Sequence, residues 1–422
     1  MIDRSSDIKK NIINALAENE FRLALELSQA MTAEYPNDPD GWNLYALVLK
    51  RFDKLDQSIS ILTQLVDQCP ESEVYLANLG NCFIAIGKIQ RGIDNFLKAI
   101  EIKPDFINGI EALGLAYLEI NKKDKAIECF KKILMTKNDH QRSLYLLGNI
   151  NIGNLEWNKG IEYLSKSNFG LSQSHLLECF LCTKDKNSFI SQHQKLIENK
   201  VSNPLIGSII QHASIYFNES FTNPFCRDSV KYIYQENIDE NELNNNEIIN
   251  IIKYSQENIN NRSQDLLQDG QQSAGNIFSI NVEIFQKLRK TIEKYIYSYK
   301  ERYKEVNEGF LNKWPDQFTL YGWIVTMKKG GYLKAHIHKE GWISGSFYLN
   351  IPDKRLGDDS GNIAFSVEGP RYPSHEKDIK KSIVKLKTRD ICIFPSSLFH
   401  ETIPFNNDEE RVTLAFDVIP VL

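Results

Sequence analysis

The hydrophobic rhythm of this chain changes once along its length. Over residues 5–170 the apolar positions recur at helical spacing in blocks of 34 residues, whereas from Phe318 onward they alternate every second residue. In the first region Pro36, Pro70 and Pro104 stand 34 apart, and Asn138 falls in the next register. Small residues recur in phase with them, at Ala46, Gly80, Gly114 and Gly148 in the first helix of each block and at Ala24, Ser58, Gly92, Ala126 and Gly160 in the second. Bulky apolar residues fill two further columns: Trp42, Leu76, Ile110 and Leu144, then Leu62, Phe96, Phe130 and Leu164. Small side chains let paired helices approach and bulky ones fill the gap between them. Proline ends each second helix because it cannot continue it. The pattern predicts about five helix pairs over residues 5–170.

The period and the column identities resemble the tetratricopeptide repeat. That resemblance implies an α-solenoid in which each pair covers the apolar face of the next, with degenerate first and fifth repeats. Residues from about 171 to 235 stay helical in pattern (HLLECFL, FISQHQKLI, IGSIIQHASIYF) but lose the columns, and are expected to be degenerate repeats or a helical cap. They run into the polar, Asn/Glu-rich stretch QENIDENELNNNEIIN, the expected domain boundary. Beyond it, IINIIKYSQENINNRSQDLL and NVEIFQKLRKTIEKYIYSYKERY read as amphipathic helices around the turn DGQQSAGN. Period two then marks strands at FTLYGWIVTM, from the His336 segment through Ile351, and at GNIAFSV, KSIVKLKTR, DICIFPSS and RVTLAFDVI. The expected fold class is therefore multidomain, α then α+β. A repeat array spans residues 1–170, a cap and linker 171–240, and a double-stranded β-helix, or jelly roll, with N-terminal supporting helices 241–422.

The strand region carries the candidate chemistry. His336 and His338 flank one residue, His400 follows 62 residues after the second, and Arg411 follows 11 later. Residues i and i+2 of a strand share a face, so His336 and His338 are expected to converge on one ion, with His400 brought in from the next long run. Arg411 and Thr413 share one face of RVTLAFDVI and the apolar Val412 and Leu414 the other, which predicts a guanidinium aimed into the site rather than a solvated strand end.

Composition narrows the picture only slightly. A chain of 422 residues, 42% hydrophobic and 25% charged, is long enough for two or three cores. A net charge of −5 and a pI near 6.0, with no basic stripe, argue against a nucleic-acid partner. No apolar run approaches the ~20 residues of a membrane span, and the N-terminus opens directly as an amphipathic helix, so a cytoplasmic, non-membrane protein is expected. Seven cysteines in no paired framework suit a reducing compartment. Cys179 and Cys182 form a CxxC, but LLECFLC places them on a buried helix face.

The segment Trp323–Phe416, through HIHKEGWISGSFYLNIP, SGNIAF, FPSSLFHETIPF and ERVTLAF, resembles the iron(II)- and 2-oxoglutarate-dependent oxygenases of the prolyl-hydroxylase-like group. The resemblance implies Fe(II), 2-oxoglutarate and O2 as cofactors, His336 and His400 as metal ligands, and Arg411 with Thr413 as the site for the distal carboxylate of 2-oxoglutarate. The carboxylate of the family's His-x-Asp/Glu motif is replaced by His338, the third expected ligand. The architecture is similar to that of the aspartyl/asparaginyl β-hydroxylases, which also join tetratricopeptide repeats to such a domain and also lack that carboxylate.

Three functions stay open on the sequence. The first is a hydroxylase that oxidises a peptide or protein side chain recruited by the repeat groove. The second is a cupin-type metalloenzyme, favoured by Gly330 before His336-x-His338 but lacking the Glu that such a motif needs three or four residues on. The third is a repeat scaffold with a degenerate oxygenase domain.

Overall fold

The computed structural model describes residues 4–262, 264–352, 357–375 and 379–421, which divide into two compact units, one ending at Ser172 and the other beginning at Gln173. The first unit consists of helix–turn–helix pairs: α1 (Arg4–Ala17) with α2 (Phe21–Glu34), α3 (Pro39–Arg51) with α4 (Leu55–Gln68), α5 (Glu73–Ala85) with α6 (Ile89–Ile102), α7 (Ile107–Glu119) with α8 (Lys123–Thr136), and α9 (Gln141–Gly153) with α10 (Trp157–Leu164). The predicted columns are its core. Leu62, Phe96, Phe130 and Leu164 are fully buried, and they press on the small column so closely that a Cβ on Gly80 would lie 2.6 Å from the Phe96 ring. The same holds for Gly114 against Phe130 at 2.6 Å and Gly148 against Leu164 at 2.5 Å.

The backbone repeats with the side chains. Left-handed residues close the turn inside each pair at Asn19, Asp53, Gly87, Asn121 and Leu155, again 34 apart. Asn and Asp tolerate this conformation by bonding locally and Gly pays no Cβ penalty, so Leu155 is the strained member of the series. Helix starts repeat likewise: the side chain of Asp38 accepts from the Asp40 and Gly41 amides, that of Ser72 from Tyr75, and the His140 ring from Ser143.

The second unit begins with three helices, α11 (Ser172–Cys182), α12 (Lys186–Glu198) and α13 (Pro204–Tyr216). His212 of α13 donates from Nε2 to the Pro373 carbonyl at 2.7 Å and accepts from the Gly369 amide at 3.1 Å, fastening the helix to a loop of the β-structure. Residues 235–250, expected as a boundary, instead supply the edge strand β1 (Tyr234–Asn237) and the capped start of α14 (Asn245–Asn258), where Asn244 and Glu247 form a capping box. The expected first supporting helix stops at Asn258. Its tail and the predicted turn become β2 (Asn261–Arg262) and β3 (Leu267–Ser273), ahead of the second supporting helix α15 (Glu283–Arg302).

The remaining strands are β4 (Phe318–Leu333), β5 (Ile343–Asn350), β6 (Ile363–Ser366), β7 (Ser382–Val384), β8 (Asp390–Pro395), β9 (Phe399–Thr402) and β10 (Arg411–Pro420). They form a seven-stranded sheet ordered β1-β8-β5-β10-β4-β3-β2 and a three-stranded sheet ordered β7-β6-β9, antiparallel throughout, as in a jelly roll. Alternation along β10 sorts the two faces. Val412, Leu414, Phe416 and Val418 join a core with Ile251 of α14 and Phe285, Leu288 and Ile292 of α15. Arg411, Thr413, Ala415 and Asp417 face the other way, into a cavity of about 550 Å³. Among the described residues no helix is long and apolar enough to cross a membrane.

Candidate metal centre

His336 and His338 lie not on a strand, as predicted, but in the irregular stretch between β4 and β5. One bridge fixes that stretch: the His336 amide donates to the His400 carbonyl at 3.1 Å and the His400 amide returns to the His336 carbonyl at 3.0 Å. The backbone of the third histidine thus registers that of the first. The His338 amide donates to the Ser396 carbonyl at 3.3 Å, and Trp342 closes the loop by donating from Nε1 to the Phe310 carbonyl at 2.7 Å.

The three imidazoles converge, one ligand nitrogen from each lying within 4.8 Å of the others. Each Nδ1 is engaged from behind. That of His336 meets the Lys334 carbonyl at 2.7 Å, that of His400 the Leu398 carbonyl at 3.2 Å, and that of His338 the carboxylate of Asp417 at 2.6 Å. A carbonyl or carboxylate acceptor calls for a proton on Nδ1, and in the neutral ring Nε2 then keeps its lone pair for a metal. The Nε2 atoms of His336 and His338 stand 3.2 Å apart. That is the separation of two ligands each about 2.0–2.3 Å from one ion at roughly a right angle. The donor set therefore fits a divalent metal.

Electrostatics point the same way. Burial, with the neighbouring His338, takes the His336 imidazole down to about 4, and burial with both neighbours holds His400 well below the usual histidine range. Both are neutral at pH 7, the form in which imidazole binds metal. The rings of Phe394 and Trp323 wall the cluster, 4.8 Å from the His400 ring and 5.6 Å from the His338 ring.

Arg411 and Thr413 line the same cavity, as expected from their register. Arg411 is 2% exposed; its Nε donates to the Gly361 carbonyl at 3.1 Å, a terminal nitrogen donates to Thr413 Oγ1 at 2.8 Å, and the guanidinium lies 5.2 Å over the Tyr348 ring. The Tyr348 hydroxyl is buried and makes no hydrogen bond of good geometry among the described residues. A buried cation on the wall of the cavity suits a carboxylate ligand.

Sequence reasoning missed Asp417, Tyr348 and Glu178. Asp417 was within reach, since the alternation that links Arg411 to Thr413 continues through Ala415 to Asp417. Glu178 of α11 was not. It is buried, receives the His175 ring at 2.7 Å and the Tyr372 hydroxyl at 3.1 Å, and lies 3.8 Å from the ammonium of Lys339, the residue after His338. The CxxC plays no part here, since Cys179 and Cys182 are unpaired thiols whose burial raises them above their usual range.

Comparison with known proteins agrees with both halves of this description. Residues 321–417 match the family described as "Putative 2OG-Fe(II) oxygenase", and residues 74–106 and 110–140 match the tetratricopeptide repeat. No curated protein matches the chain. Among solved structures, PilF of Pseudomonas aeruginosa is similar at 14% identity and a TM-score of 0.41, covering 46% of this chain and 91% of that one. PilW, a type IV pilus biogenesis factor, is similar at 12% and 0.41, covering 47% and 94%. A tetratricopeptide repeat protein from Parabacteroides merdae follows at 11% and 0.38, covering 50% and 85%. These likenesses carry no weight on function. The chain thus consists of a tetratricopeptide repeat region followed by a domain that matches the 2OG-Fe(II) oxygenase family.

Proposed function

We propose that the second unit is an iron(II)- and 2-oxoglutarate-dependent dioxygenase that hydroxylates a peptide or protein side chain recruited by the repeats. The observation that carries this reading is the convergence of three imidazoles in the same cavity as a buried arginine. His336, His338 and His400 would hold Fe(II), which with 2-oxoglutarate and O2 supplies the oxidising chemistry at a substrate C–H bond. Arg411 presents a planar fork to the distal carboxylate of 2-oxoglutarate, held in place by Thr413 and Gly361. The aromatic walls lower water access and strengthen each of these contacts. A cupin site would use no such arginine, and the buried position of Arg411 favours the oxygenase over it.

The test is metal content and 2-oxoglutarate decarboxylation by the purified protein. Arg411→Ala should keep its metal while its requirement for 2-oxoglutarate rises by one to two orders of magnitude, a loss of about 1.5–3 kcal/mol of charge-assisted contact. Arg411→Lys should recover only part, having no bidentate fork. His400→Ala should lose the metal. Metal-loaded wild type that ignores 2-oxoglutarate, or an Arg411→Ala variant like wild type, would return the site to the cupin reading.

A further inference from the structure

Three imidazoles leave an iron site one negative charge short of the two-histidine, one-carboxylate set that non-haem Fe(II) oxygenases use. The missing charge has a candidate source behind one of the ligands. His336 and His400 rest their Nδ1 atoms on neutral backbone carbonyls, but His338 rests its own on the Asp417 carboxylate at 2.6 Å. We propose that Asp417, acting through His338, supplies the negative charge that the three-histidine set lacks, and is the positioning residue of the metal site. This rests on the metal reading above.

The surroundings of Asp417 are built for that contact. Its Oδ1 also accepts from Ser344 Oγ at 2.6 Å, and Ser344 is itself 2.7 Å from Ser396 Oγ, so a chain of hydroxyls orients the carboxylate. Gly341 covers it. A Cβ at that position would stand 2.9 Å from Asp417 Cγ and Oδ1 and 3.0 Å from Ser396 Oγ, so any larger residue would push the carboxylate aside. The Trp342 amide, bonded to the Val418 carbonyl at 2.7 Å, pins the histidine loop to β10 immediately after Asp417. A charge-assisted hydrogen bond to Nδ1 does two things for His338: it fixes the ring so that Nε2 faces that of His336, and it makes Nε2 a stronger donor. The charge sits one imidazole away from the place the family's motif gives it.

Binding of Co(II) alone, a redox-stable stand-in for Fe(II), tests this by calorimetry and by its visible absorption bands. Asp417→Asn should weaken Co(II) binding by about 10- to 100-fold and shift the bands, with the melting temperature of the metal-free protein preserved. The deciding arm is a cycle with His338→Asp, which puts a carboxylate directly on the metal. There Asp417→Asn should cost far less than it does in wild type, because the charge is no longer needed from behind. Gly341→Ala, which displaces the carboxylate while keeping both residues, should weaken binding about tenfold and gives a reading even if Asp417→Asn folds poorly. Unchanged affinity in Asp417→Asn and Gly341→Ala overturns the proposal, as does an equal loss from Asp417→Asn in both backgrounds. Wild type that takes up no Co(II) removes this proposal together with the metal reading. Wild type that binds Co(II) but never turns over 2-oxoglutarate removes the oxygenase reading and leaves the Asp417 cycle to be decided.

Discussion

The two units of this chain solve the same problem, close packing, over very different distances in sequence. In the repeats the decisive neighbour is 16 residues away, as for Gly80 with Phe96 and Gly114 with Phe130. In the second unit it is far off: Asp417 lies 79 residues from His338, and the Pro373 carbonyl 161 from His212. Local packing is redundant, since five similar pairs repeat one solution and each is supported by its neighbours. Long-range polar packing is not. A single buried carboxylate such as Glu178 ties helix α11, the Tyr372 loop and the residue after His338 together.

The sharpest way to break the comparison is to acidify that tie. Burial pushes the Glu178 carboxyl up, but the Lys339 ammonium and the hydrogen bonds from His175 and Tyr372 outweigh it and hold the group at about 2. A carboxyl held below its ordinary value adds stability that is full above about 4.5 and is lost as pH falls through about 2, up to about 3 kcal/mol. Wild type should therefore lose stability in that window, and Glu178→Gln should start lower at neutral pH with a flatter profile below 4.5. Chemical denaturation followed between pH 5 and 2 checks this; identical profiles for the two proteins would deny Glu178 its role.

The repeats should respond to geometry instead of pH. Gly114→Leu forces a side chain into the Phe130 ring and should destabilise the first unit by about 1–3 kcal/mol through overpacking, seen as an earlier thermal transition by circular dichroism. An unchanged melt would put the helix register in question. The smallest effect sharpens the same point from the opposite side. Leu155 holds a left-handed conformation that its counterparts Asn19 and Asn121 adopt more easily, so Leu155→Asn should stabilise by about 0.5–1 kcal/mol, a shift of a few degrees upward.

What was legible in the sequence follows this division. The repeat columns were readable because a helix packs its i+3 and i+4 neighbours against a partner at a fixed chain separation, so the period carries the contact map. The β10 alternation was readable for a similar reason, and it placed Arg411 and Thr413 on the cavity side. The same alternation held Asp417 in plain view, but only a neighbour such as His338 gives that carboxylate a task. The alternation around the histidine pair predicts a strand that the chain does not form there. Lys334–Trp342 is instead held by bridges to β9 and β10, and a strand pattern cannot foresee pairing that tertiary partners divert. Helices α11–α13 look in sequence like failing repeats, because helical periodicity records an apolar face and not what covers it.

By itself, then, the sequence determined the helical repeat, the antiparallel character of the second unit, the three histidines and the arginine on the cavity face. All of these depend on local periodicity, which survives in any window of the chain. The tertiary structure alone decided that α11–α13 belong with the β-unit, that Glu178 anchors the loop after His338, and that Asp417 stands behind that histidine. Those contacts join residues some 80 to 190 apart. No pattern within a segment encodes which distant polar group will be buried against it, because the low-dielectric interior that gives such a pair its strength exists only once the whole unit has closed around it.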